Sequence, residues 1–198
     1  SPQGELAARI RPGTAPNVLI YVSGLGVVSD DDGGAALLAT DGDRRKEGQS
    51  GLGLDTLYQN VTRIGAAAVT IVLEVDFASE PDAPIVAPNA PSVRAALLPK
   101  LALRGLTVMT AADRDQRPLD DVEHGLGLFT RYLVAGLAGA ADAAPFGNGD
   151  GIVDTAEVFV YAAHRTGLAA RKTFGMMQKP GLSHGRAMPL GRYAAEVR

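Results

Sequence analysis

The sequence predicts one α/β domain: a doubly wound sandwich with helices on both faces of a mostly parallel sheet. Three observations carry this. Residues 18–23, 69–75 and 106–111 are predominantly apolar, as strands buried on both faces are. Segments with apolar residues at helical spacing lie between and after them. Strand and helix thus alternate, which is how parallel sheets are wound.

In chain order, residues 4–10 are expected to end a helix closed by Pro12 and Gly13. Residues 18–23 form the first buried strand. Residues 30–34, three Asp and two Gly, make a turn, and residues 35–39 a short strand. Residues 41–51 are charged and glycine-rich, hence a surface loop. Leu54, Leu57, Tyr58, Val61 and Ile64 share one helix face. Residues 69–75 form the second strand. The four prolines of residues 81–91 impose a loop. Ser92 can cap a helix to Arg104, which Gly105 stops. Residues 106–111 are the third strand and residues 126–138 a helix. Residues 142–150 are a polar loop, and Asp154 or Thr155 opens a last helix through His164. The tail holds at most one short strand, near residues 175–178. No internal repeat or low-complexity tract is visible.

The 198 residues suit one domain with a real core. At 46% hydrophobic, the chain is not of disordered composition. No apolar stretch is long enough to span a bilayer. The net charge of −3, with both signs scattered, and the absence of Trp argue against nucleic acid as a partner. The absence of Cys removes disulfides, thiolate metal sites and thiol nucleophiles together, and leaves the compartment open. The chain opens at Ser1 with no Met and no signal-like segment, so it is expected to be a processed or engineered fragment.

Two strand ends carry the functional reading. The first is Tyr21-Val22-Ser23-Gly24-Leu25-Gly26, and the second is Glu74-Val75-Asp76-Phe77-Ala78-Ser79. Both resemble the caspase-like peptidase domains, in particular bacterial caspase homologues and metacaspases. There one strand ends in Tyr-Ser-Gly-His-Gly, with His as general base. A later strand ends in Asp-Ala-Cys-Phe-Ser-Gly or similar, with Cys as nucleophile. The resemblance sets Leu25 at the His position and Asp76 at the Cys position. They lie 51 positions apart, against about 50 between caspase His and Cys. Weaker matches follow: residues 37–41 ending in Asp41, residues 110–113 ending in Asp113, residues 124–133, residues 136–142, Gly149 to Gly151 before Glu157, and Gln178 to Pro180. The resemblance implies a caspase-haemoglobinase-type three-layer α/β/α sandwich over residues 1–198.

It also implies lost chemistry. Thiolate attack on a peptide carbonyl needs a soft nucleophile and a base within hydrogen-bond reach. Leu25 cannot move a proton, and an Asp76 adduct would be an unstable anhydride. No catalytic residue is intact. Ser23, Gly24, Gly26, Asp41, Glu74 and Asp113 mark a vestigial cleft. Glu74 and Asp76 are not expected to act as a carboxylate pair, and Ser23 and Ser79 lack a base. His124 reads as a loop residue and His164 as a helix-end residue. The family's sheet begins upstream of the His-bearing strand, so strands are expected to be missing before residue 18. So apolar a strand should not lie at an exposed edge.

Residues 148–157 resemble an EF-hand loop, with Asn148, Asp150, Asp154 and Glu157 as candidate calcium ligands. The competing reading makes Asp154 a helix cap and Glu157 its capping-box partner. It is preferred, because Phe146 stands where the first carboxylate belongs, although Asp142 could substitute if residues 143–147 bulged out. No other cofactor is expected. Asp30, Asp31, Asp32, Asp41 and Asp43 read as a solvated acidic loop.

Three functions compete. The first is a pseudo-peptidase that binds or regulates a protein or peptide, either another caspase-like chain or its own N-terminal fragment. The second is a hydrolase using Asp76 with nearby acids or a metal. The third is a structural module of a larger assembly.

Overall fold

The computed structural model describes residues 4–11, 13–28, 34–40, 51–77, 97–99, 102–113, 116–183 and 187–193. In order these form α1 (Glu5–Arg9), β1 (Asn17–Val28), β2 (Ala35–Leu38), β3 (Gly51–Gly53), α2 (Leu54–Val61), β4 (Ala68–Asp76) and β5 (Leu106–Thr110). A two-strand ribbon follows, β6 (Asp120–Asp121) and β7 (Leu126–Gly127), leading into α3 (Leu128–Ala135). Then come β8 (Ile152–Asp154), α4 (Thr155–Ala169), β9 (Gly181–Leu182) and β10 (Pro189–Arg192). Helix α3 runs on into Gly136–Ala140, where Gly139 at φ 112° breaks the helix, and α4 runs on into a wider turn at Ala170–Phe174.

The protein is α/β, around a six-stranded sheet ordered β3-β2-β1-β4-β5-β9. Only its centre is parallel. β1 pairs with β4 and β4 with β5 in parallel, whereas β2, β3 and β9 join antiparallel. The sheet is therefore mixed, not mostly parallel. β1 ends at Val28 and β2 begins at Ala35, a connection long enough for antiparallel neighbours and too short for a parallel crossover.

Each face of the sheet carries its own core. Val69, Ile71, Leu73 and Val75 of β4 point to one side, with Val108, Leu54, Tyr58 and Val61. Val72 and Met109 point to the other, with Phe129 and Leu133 of α3 and Val158 and Ala162 of α4. The alternation on β4 is the period-two pleat of a strand buried on both faces.

β1 departs from expectation. It meets β4 from Asn17 to Leu25, but β2 reaches only Gly26, Val27 and Val28 on its other side. Among the described residues, positions 17–25 have no strand on that side, and Leu19 and Tyr21 are exposed. Among the described residues, β1 from Asn17 to Leu25 therefore lies at a sheet edge, because β2 covers only its last three residues.

Other boundaries moved. Residues 102–105 are not helical, so the helix expected to reach Arg104 ends before them. Leu126 and Gly127 are strand, and α3 begins at Leu128. α4 runs five residues past His164, which places that residue inside the helix. The tail strand is at Gly181–Leu182, with a second at Pro189–Arg192, and not at residues 175–178. The expected turn at residues 30–33, the loops at residues 41–50 and 81–91, and the cap at Ser92 lie outside the described residues.

Candidate functional site

The central parallel strands end together at one edge of the sheet, the place where α/β proteins of this kind carry their ligands. Leu25 is the register partner of Asp76, and Ser23 is the register partner of Glu74. Leu25 is 47% exposed. Gly26 beside it is buried, and a Cβ there would fall on the ring of Phe77. Asp113 follows the end of β5 at the same edge. Asp41, Ser79 and the other acids of the Asp30–Asp43 group lie outside the described residues.

Asp76 meets a residue that sequence reading passed over. Arg117 donates through Nε to Asp76 Oδ2 at 2.8 Å, and its Nη2 bonds the same oxygen. Arg117 belongs to a stretch with no helix or strand period, so nothing local marks it. Tertiary folding alone brings it across 41 positions. The position resembling a thiol nucleophile is thus occupied by a carboxylate in a salt bridge.

Glu74 plays a different part from Asp76. Two apart on one strand, the two share a face of the sheet, so it is their partners that separate them. Glu74 is 6% exposed and sits beneath the start of α3. Its carboxylate is shielded from solvent at this edge. Tyr21 donates its hydroxyl to Glu74 Oε2 at 3.2 Å. The Thr130 hydroxyl, with one proton to give, stands 2.8 Å from the Tyr21 oxygen and also within bonding reach of Glu74 Oε2. Glu74 Oε1 is buried with no hydrogen-bond partner among the described residues. Burial pushes the Glu74 carboxyl up, against the opposing pull of the Thr130 and Tyr21 hydroxyls and the Thr130 and Phe129 amides. Burial also raises the Tyr21 hydroxyl. Gly127 makes the arrangement possible, since a Cβ there would overlap the Glu74 carboxylate.

The calcium-like loop folds as the preferred reading expects. Asp154 Oδ1 accepts from the amides of Ala156, at 2.8 Å, and Glu157, at 2.9 Å. Glu157 Oε2 accepts in return from the Asp154 amide at 3.1 Å. This is a reciprocal capping box on α4. Asn148 and Asp150 each accept from the amide two residues on. Phe146, at the first ligand position, packs edge-on against Tyr161 at 5.2 Å. Asp142 is buried and accepts from the amides of Asp150 and Gly151 and from the Tyr193 hydroxyl. That hydroxyl, foremost, holds the Asp142 carboxyl below the usual carboxylate range. Asn148 Oδ1, Asp150 Oδ1, Asp154 Oδ1 and both Glu157 oxygens thus accept from backbone N–H groups of the turn itself.

Asp121, Glu123 and His124 bring potential ligand atoms within 4.8 Å of one another on the β6–β7 ribbon. Asp121 already bonds His124 at 3.0 Å and Arg131 at 2.5 Å, and a cation would have to displace the guanidinium. His124 is therefore a hydrogen-bond partner of Asp121 on a turn.

No protein-family model matches the chain, and no curated protein matches it. Fold and site together define an α/β protein whose central strands end in a paired leucine and aspartate.

Proposed function

We propose that this chain is a caspase-like domain of the three-layer α/β/α type that has lost its catalytic dyad, a pseudo-peptidase that binds or regulates and does not cleave. One observation carries the reading: Leu25 and Asp76 are register partners at the carboxyl ends of adjacent parallel strands. The two positions that the sequence motifs set apart are thus neighbours in space. Leu25 offers no base, and Asp76 is engaged by Arg117. A hydrolase using Asp76 with a second acid gains no support from this arrangement, since the nearest acid on the same strand, Glu74, is buried and bonded elsewhere.

The open edge of β1 supports a binding role. An extended polypeptide adds to such an edge through main-chain hydrogen bonds, with side-chain contacts giving specificity. The partner is a protein or peptide presenting a strand, such as another caspase-like chain. The same edge suits the reading as a structural module, in which the covering strand is permanent.

The test is enzymatic. The chain is expected to turn over none of a set of Arg-, Lys- and Asp-directed peptides. The double variant Leu25→His with Asp76→Cys, which restores base and nucleophile to paired positions, is expected to form a thiol-dependent acyl-enzyme with such peptides. Cleavage by the unaltered chain would overturn the proposal.

A further inference from the structure

The even scatter of charge along the chain breaks down in one segment. Residues 158–195 contain six Lys or Arg and no Asp or Glu. Four of these cations, Arg165, Arg171, Lys172 and Lys179, lie on the outer half of α4 and the turn beyond it. Among the described residues, none of the four forms a salt bridge with a carboxylate. Arg165 stacks on Tyr161, and Arg171 bonds the Gly167 carbonyl at 3.2 Å.

Bulky apolar side chains share this surface. Val160 and Leu168 are exposed two turns apart on one helix face. Phe174, Met176 and Met177 are exposed in the turn, Met177 at 56%. The turn is held at both ends. Ala170 is fully buried, and Gln178 is buried with its Nε2 on the Ala111 carbonyl and its Oε1 on the Leu119 amide. Gly175, at φ 62°, makes the left-handed bend between them. Seven consecutive residues, 171–177, are thus exposed between two fixed points.

We propose that the outer face of α4 and the turn at 171–177 dock on an anionic phospholipid surface, with Phe174, Met176 and Met177 entering the headgroup boundary. Charge complementarity selects the occupant, because Arg165, Arg171 and Lys172 are exposed on a stretch of chain that itself carries no acid, and exposed cations attract anionic headgroups. Geometry favours lipid over an acidic protein. A stable protein interface buries about 800 Å² on each partner around an apolar centre. Here the bulkiest exposed apolar side chains gather on one short turn, an arrangement suited to shallow insertion flanked by Lys and Arg.

The experiment is co-sedimentation of the full chain with phosphatidylcholine vesicles, with and without roughly one part in three phosphatidylserine. Binding is expected only with phosphatidylserine, and is expected to weaken as salt rises. Arg171→Gln with Lys172→Gln should lower partitioning roughly 30-fold. Met176→Ser with Met177→Ser should lower it as well while leaving the helical circular dichroism unchanged. Failure to bind either vesicle, equal binding to both, or binding that neither variant weakens overturns the proposal. So does binding to polyglutamate without binding to vesicles, which would assign the surface to an acidic protein.

Discussion

Leu25 and Asp76 stand side by side, register partners on adjacent parallel strands, although 51 positions separate them in the chain. The neighbourhood is one that could hold a base and a nucleophile, yet it holds an aliphatic side chain and a salt-bridged carboxylate. Arg117 completes the exchange. Its guanidinium meets Asp76 at the strand end.

The Asp76–Arg117 pair is expected to contribute little to stability. Arg117 is half exposed, and exposed pairs are worth about 0.2–1 kcal/mol. A double-mutant cycle with Asp76→Asn and Arg117→Gln, followed by urea denaturation, should give a coupling within that range and weaken with salt. A coupling several times larger would mean that the pair organises the whole edge.

Gly127→Ala should be costly out of proportion to one methyl group, because the new Cβ collides with the Glu74 carboxylate. Overpacking of this kind costs about 1–3 kcal/mol. The penalty should shrink sharply in a Glu74→Ala background. Equal penalties in the two backgrounds would place the strain elsewhere.

Glu74 should also make stability depend on pH. Its carboxyl is raised in the folded chain, chiefly by burial. The folded state therefore holds the proton more tightly than the unfolded state. Its contribution is full below the unfolded-state value of about 4.3 and is lost as pH rises through the folded-state value. Relative to Glu74→Gln, the unaltered chain should lose stability over the interval that begins at about pH 4.3 and extends through the raised folded-state value. Chemical denaturation across that interval checks this, and a difference that stays flat or reverses contradicts it.

At the α4 start, calorimetric titration is expected to show no heat at millimolar calcium, since Asp154 and Glu157 are spent on the capping box. Asp154→Ala should destabilise by about 1 kcal/mol, and by the same amount with calcium present as without it. A calcium-dependent rise in melting temperature would reinstate the ion site.

Much of the fold was legible along the chain. Strands β4 and β5 and the start of α4 lie where their apolar runs and the Asp154 to Glu157 spacing put them. Shorter elements were not. β3, β6, β7 and β8 have two or three residues each, too few to show a period. Leu126 and Gly127 merged into the helix that follows because a two-residue ribbon leaves no pattern to separate. At the site, Leu25 and Asp76 were visible as strand-end residues. Arg117 and the Tyr21–Thr130–Glu74 contact were not, since they join residues 41 to 109 positions apart.

By itself the sequence determined the absence of a thiol and the apolar runs of the two buried strands, β4 and β5. It also determined the cap that starts α4. Those are local properties: side-chain chemistry, hydrophobic period and a three-residue spacing. The tertiary structure decided which strand ends meet, that Glu74 is buried under α3 while Asp76 pairs with Arg117, and that β2 pairs only with the end of β1 among the described residues. Such outcomes depend on strand order and register, which long-range packing sets and no short window of sequence contains.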